Sequence, residues 1–221
     1  MRIGTWNLEG RWTPAQVRAL GRQDCDIWLL TEVPTAATLD GYAMHTTAGS
    51  MAPGRRWAAV AAREELDPCP LPDPHPASAA VAVGGVTFCS SVLPWRTSGG
   101  DHPWRGSSTA ERTAYALGDL TSVLPVDRTV WGGDWNHAVE GPEHAGSRAG
   151  REAILDAATG LGLTILTTGL AHRLDGHGTI DHLAVPSRAR VVHPAERVSM
   201  EEDGRHLSDH DAYVVEVALG V

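Results

Sequence analysis

Apolar stretches along this chain are short, and Gly, Pro and polar clusters break them. Residues 2–8 and 26–31 read as buried strands, the second ending at Glu32 and stopped by Pro34. Between them Thr13 offers an N-cap, Pro14 a first-turn position, and Val17 and Leu20 the apolar face of a short helix. Residues 42–47 and 57–63 are expected to pair across the loop 49–56. Residues 66–77 carry five prolines and read as a surface excursion, because strand-like patterning continues on both sides. Residues 79–83 and 86–93 form two strands joined by Gly84-Gly85. A helical stripe runs through Ala110, Ala114, Leu117, Leu120 and Leu124, and a second helix is expected over 151–161. Further strands are read at 128–132, 163–167, 179–185, 190–198 and 212–219, with long polar loops at 94–108 and 137–150. Many strands with few helices predict an α/β chain with a two-layer β core and helices outside. A length of 221 residues fits one domain, 1–221.

Most of these strands end in a polar signature. The five are Trp6-Asn7-Leu8-Glu9-Gly10, Thr31-Glu32, Gly133-Asp134-Trp135-Asn136, Ile180-Asp181-His182 and Ser208-Asp209-His210-Asp211. Carboxylates, amides and imidazoles cannot be buried unpaired. Converging strand ends would therefore build an acidic, oxygen-rich pocket holding a histidine, which suits a hard divalent cation and a phosphate ester. Glu32, after the core strand Ile27-Trp28-Leu29-Leu30, is the candidate metal ligand; standing alone it would read as a solvated strand-end acid. Asn7 can bind a metal or donate to a phosphate oxygen, or serve as a turn residue before Gly10. Strand alternation puts Asp134 and Asn136 on one side, placed to hold an attacking water and phosphoryl oxygens; an Asx-turn explains either one alone. His210 is the candidate general base, since an unperturbed imidazole titrates near ~6.5 and small shifts poise it at working pH. It needs an orienting carboxylate.

In this order and strand context, the set resembles the endonuclease/exonuclease/phosphatase superfamily, which includes pancreatic deoxyribonuclease, abasic-site endonucleases, sphingomyelinases and inositol-phosphate phosphatases. No single motif is specific, and the resemblance spans residues 1–221. It implies a four-layer α/β sandwich, with two packed, mainly antiparallel β-sheets flanked by helices and the site along one edge of the sheets. It implies Mg²⁺ or Mn²⁺ on Glu32, Asn7 at the metal or the phosphate, Asp209 near the metal, and Asp181 orienting His210. Glu9 falls where many relatives carry an Asp near the metal, although a surface acid is an equal alternative. The chain departs from the pattern at Ser90-Ser91-Val92-Leu93-Pro94-Trp95-Arg96. Val92 stands where many relatives have a phosphate-contacting His or Tyr, and Arg96 is the candidate to supply that contact. The implied activity is phosphodiester hydrolysis, with nucleic acid the leading substrate. Small phosphate esters, lipid headgroups and a catalytically silent binding module are the alternatives. A zinc hydrolase is disfavoured because the other histidines lack ligand spacing such as His-x-His; His137 and His182 are expected to adjoin the site.

Composition adjusts this picture. The net charge of −9 argues against an avid non-specific duplex binder, though a local basic rim is compatible with it. All 18 cations are Arg, which fits bidentate phosphate recognition and equally a compositional bias of the genome. Of the eight Trp, Trp6, Trp28, Trp57, Trp131 and Trp135 read as core, and Trp12, Trp95 and Trp104 as exposed near a site. Cys25, Cys69 and Cys89 form no ligand or disulfide pattern and read as reduced, buried thiols. No apolar leader precedes the first strand, and the longest apolar runs, such as 57–62, are far short of a membrane span. A cytoplasmic monomer without a membrane span is expected.

Overall fold

A computed structural model describes Met1–Gly220. In chain order the first half forms β1 (Arg2–Asn7), α1 (Pro14–Gln23), β2 (Ile27–Pro34), β3 (Tyr42–Thr46), β4 (Ser50–Ala52), β5 (Arg55–Arg63), β6 (Cys69–Pro70), β7 (Ser78–Val83) and β8 (Val86–Ser91). The second half forms α2 (Thr109–Val123), β9 (Thr129–Asp134), α3 (Arg148–Gly160), β10 (Leu163–Ile165), β11 (Asp181–Pro186) and β12 (Arg190–Val198). It closes with β13 (Glu201–Glu202), β14 (Arg205–His206) and β15 (Ala212–Ala218).

Backbone pairing sorts the longer strands into two sheets. One runs β12-β15-β1-β2-β5-β3, with β4 also on β5, and the other runs β10-β11-β9-β8-β7-β6. Each sheet is antiparallel except at one pair, β1 with β2 and β8 with β9. The inner faces meet through Ile3, Leu29, Val60 and Val215 on one side and Phe88, Val130 and Leu183 on the other, all buried. Burying each such side chain contributes about 1.5–3 kcal/mol. Helix α1 covers the outer face of the first sheet through Leu20 against Trp28 and Leu30. Helices α2 and α3 cover the outer face of the second, with Leu117, Leu120 and Ile154 around Trp131. The result is the helix–sheet–sheet–helix sandwich that the resemblance implied.

Local chemistry sets the helix ends. Thr13 caps α1 in a box with Gln16, whose own amide nitrogen donates to the Leu8 and Leu207 carbonyls and ties the helix to the end of β1. Helix α3 starts three residues before the sequence expectation, because the Ser147 hydroxyl accepts the Gly150 N–H. Strand β2 runs on to Pro34, whose missing N–H is tolerated at a strand end.

Expectations about exposure fail at four residues, of which Trp12 and Trp95 are half-buried against the core. Trp104 is buried: the loop before α2 folds it against His75 (5.3 Å, stacked) and Trp57 (5.4 Å, edge-on). Cys69 is exposed, whereas burial pushes the Cys25 and Cys89 thiols up to about 12. Among the described residues no helix is long and apolar enough to cross a membrane.

Candidate active site

The topology brings three strand ends to one place. Antiparallel pairing of β9 with β11 sets Asp134 opposite Asp181. Asn7 ends β1 in the facing sheet, and its amide Nδ2 donates to both Asp134 Oδ2 and Glu32 Oε1, each at 3.1 Å. Asn7 Oδ1 accepts the Glu9 N–H at 2.9 Å. The side of the amide facing the acids is therefore a double donor that spaces two carboxylates.

The last signature is tied to the first. Ser208 Oγ donates to the Asn7 carbonyl at 2.7 Å and accepts the His210 N–H, while Trp6 Nε1 donates to the His210 carbonyl at 3.0 Å. Held so, His210 Nδ1 lies 2.6 Å from Asp181 Oδ2. The other side of the ring faces Asp209, with Nε2 to Oδ1 at 3.9 Å. Glu9 joins this turn by accepting the Asp209 N–H at 3.0 Å, and it pairs with Arg11.

Charge dominates the electrostatics here. Burial disfavours the imidazolium of His210, but the charges of Asp181, Asp134 and Asp209 outweigh burial and raise its pKa to about 10. The ring is thus a cation at neutral pH in the field of the protein alone, not the near-neutral group that the unperturbed value suggests. Asp134 is raised by its own burial and then by the charge of Asp181, with His210 opposing. Asp181 is also buried, and its Oδ1 has no hydrogen-bond partner.

The strand exit at Asp134 is built on Gly133, held at φ 124°. A Cβ there would lie 2.1 Å from the Ser91 carbonyl oxygen, so only glycine fits. Asn136 does not continue the strand. It adopts φ 54°, its N–H donates to Asp134 Oδ1 (3.0 Å), and its Nδ2 donates to the Leu93 carbonyl (3.0 Å). Alternation therefore does not apply to the pair, and an Asx-turn joins them.

Arg96 is not brought to these acids. It is 60% exposed, with Nε on the Gly146 carbonyl and Nη2 3.8 Å from Glu143. Val92 is buried, and the Ser91 hydroxyl accepts the Trp131 indole N–H. The arginine that does reach the acids is Arg55, whose Nη1 is 2.5 Å from Glu32 Oε2. Its guanidinium lies in a slot left by Gly10, where a Cβ would come within 2.4 Å of three of its atoms. Sequence reading missed it because β5 joins β2 only in the folded sheet.

His182 and His137 adjoin the site as core groups. His182 has both ring nitrogens bonded, to Thr167 Oγ1 (2.9 Å) and the His137 carbonyl (2.8 Å), and burial lowers its pKa to about 4. His137 Nδ1 lies 2.9 Å from the Trp135 carbonyl. His172, read from sequence as a loop residue, packs edge-on against His210 with ring centres 5.8 Å apart.

The sequence matches no protein-family model and no curated protein. Solved structures do match across the whole chain. The endonuclease domain of TRAS1, a telomere-specific non-LTR retrotransposon, aligns with a TM-score of 0.70 and 17% identity over 98% of this chain and 97% of that one. The AP endonuclease LMAP from Leishmania major gives 0.69 and 14% over 97% and 86%. This chain has the endonuclease/exonuclease/phosphatase fold. The 3′ phosphatase NExo from Neisseria, bound to a product DNA hairpin, shares that fold with a TM-score of 0.67 and 17% identity over 99% of each chain.

Proposed function

We propose that this chain is a divalent-metal-dependent phosphoesterase that hydrolyses phosphodiesters, with nucleic acid as its leading substrate. The observation that carries the reading is Asn7 holding Glu32 and Asp134 together beside the Asp181–His210 pair. Four carboxylates, those of Glu32, Asp134, Asp181 and Asp209, face one guanidinium and one imidazolium in this cluster. That excess of hard oxygen charge fits Mg²⁺ or Mn²⁺. Glu32 would be the main ligand, with Asp209 near it, and such an ion neutralises phosphate charge. Asn7 positions Glu32 and does not ligate as it stands, because its Nδ2 faces the acids and its Oδ1 accepts the Glu9 N–H.

The protein's own groups then divide the remaining work. Asp181 fixes the Nδ1 proton of His210, which leaves Nε2 to accept a proton from the attacking water. The charges of Asp181, Asp134 and Asp209 raise the pKa of His210, so charge that offsets these carboxylates would favour the base form. Asp134 and Asn136 place the water and the phosphoryl oxygens, and in-line attack expels the leaving oxygen. The fold likeness to an endonuclease, an AP endonuclease and a DNA-bound 3′ phosphatase supports a phosphate ester as substrate. The test is a panel of supercoiled DNA, single strands, RNA, phospholipid and nucleotide esters, each with Mg²⁺, Mn²⁺ or EDTA. Ion-dependent cleavage of a nucleic acid, lost in His210→Gln, is the expected result. Cleavage of none of them, or cleavage indifferent to EDTA, refutes the reading.

A further inference from the structure

The fold gathers a second set of donors whose chemistry differs from that of the oxygen centre. A ring nitrogen of His172, one of His210 and a carboxylate oxygen of Asp181 lie within 4.8 Å of one another. His172 lies nine residues before Asp181 and well before His210, so no short ligand spacing announces the set. Its position is nonetheless built. Its backbone N–H donates to the His177 carbonyl (2.8 Å), and its carbonyl accepts from Arg197 Nη1 (2.7 Å). Arg197 is in turn ion-paired with the buried Asp211 at 2.8 Å. Arg173, next in the chain, donates through Nε to the Asp209 carbonyl at 2.8 Å and so fastens the loop to the His210 turn.

Within this frame His172 Nδ1 accepts the Leu174 N–H at 3.0 Å, while Nε2 makes no hydrogen bond among the described residues. The second observation is Asp181 itself, about 1% exposed, with Oδ1 lacking any partner. A buried carboxylate oxygen without a donor is costly unless something positive meets it. Two imidazoles and a carboxylate, with solvent as a fourth donor, are the set preferred by Zn²⁺. Bonds of about 2 Å put the ligands of a tetrahedral ion roughly 3.3 Å apart, so the triangle needs small side-chain rotations and some opening of the Asp181–His210 contact.

We propose that His172, Asp181 and His210 form a site for an imidazole-seeking divalent ion such as Zn²⁺, distinct from the hard-ion centre at Glu32. Occupancy of this site withdraws His210 from proton transfer, so the same ion that binds there silences hydrolysis. Only that consequence rests on the proposed function; the binding itself does not.

The test uses the full chain stripped with EDTA. Zn²⁺ binding is followed by calorimetry in wild type, His172→Gln and Glu32→Gln, and Co²⁺ serves as a visible-absorption probe of coordination. The expected result is one Zn²⁺ per wild-type chain, a loss of affinity in His172→Gln of at least about tenfold, as seen even for groups that merely orient a metal ligand, and retention in Glu32→Gln. Cobalt in the wild-type chain should show the intense bands of a four-coordinate, nitrogen-containing set, a readout that needs no variant to fold. Unchanged Zn²⁺ affinity in His172→Gln, loss of Zn²⁺ in Glu32→Gln, or the pale spectrum of six-coordinate oxygen ligation would each overturn the proposal. Mg²⁺ binding to Glu32→Gln reports on the proposed function separately, so the two can fail independently.

Discussion

His182 and His210 flank the same aspartate, yet the protein treats them in opposite ways. His182 follows Asp181 in β11, is sealed between Thr167 and the His137 carbonyl, and is held neutral by burial. His210 reaches Asp181 from the turn before β15, is nearly as enclosed, and is held as a cation by the carboxylates around it. Burial opposes protonation in both. The difference lies in what each ring meets: neutral oxygens for His182, anions for His210. Enclosure alone therefore does not set the charge of a histidine, whereas the charge of its partners does.

The largest effect is expected at the shared aspartate. Asp181→Asn should lower kcat by about 10²–10⁴-fold, as loss of a positioned acid–base partner does. Steady-state kinetics on whichever ester the panel identifies would read this, and an intact rate would end the working role of His210.

A stability profile in EDTA sharpens the contrast. The folded pKa of His210 is raised, so its stabilisation is full below the unfolded value of ~6.5 and disappears as pH climbs through about 10. The folded pKa of His182 is lowered, so its effect runs the other way, with stability lost as pH falls from ~6.5 through about 4. Each contribution is on the order of a few kcal/mol. Thermal melts should show His210→Gln flattening the alkaline limb and leaving the acid limb in place. Flattening of the acid limb instead would reverse the assignment.

The two arginines give the smaller effects. Arg55 competes for Glu32, so Arg55→Gln should tighten Mg²⁺ binding by about three- to tenfold, measured by calorimetry without substrate. Arg96 pairs only loosely and is exposed, so Arg96→Ala should change kcat/KM by less than about twofold. A larger loss would mean that substrate draws Arg96 away from Glu143.

The strand pattern located most of the long strands, because alternation and β-branched runs report burial directly. Residues 190–198 match β12 end to end although most of that strand is exposed, so there the β-branched run marked a strand without marking burial. Strands β4, β6, β13 and β14 passed unnoticed, since two or three residues carry no period. At the candidate site, Asn7, Glu32, Asp134, Asp181 and His210 stood out because each interrupts or ends an apolar run with a group that demands a partner. Arg55 and His172 did not, because nothing beside them in the chain distinguishes them from ordinary surface residues. They acquire significance only through the pairing of β5 with β2 and through the loop pinned by Arg197 and Arg173.

The stitch from Ser208 to Asn7 and from Trp6 to His210 couples places 201 and 204 residues apart in the chain. Loosening the end of β1 would therefore also release the turn that carries the imidazole. Acids and imidazole cannot drift separately, and whatever disturbs one half of the cluster unmoors the other.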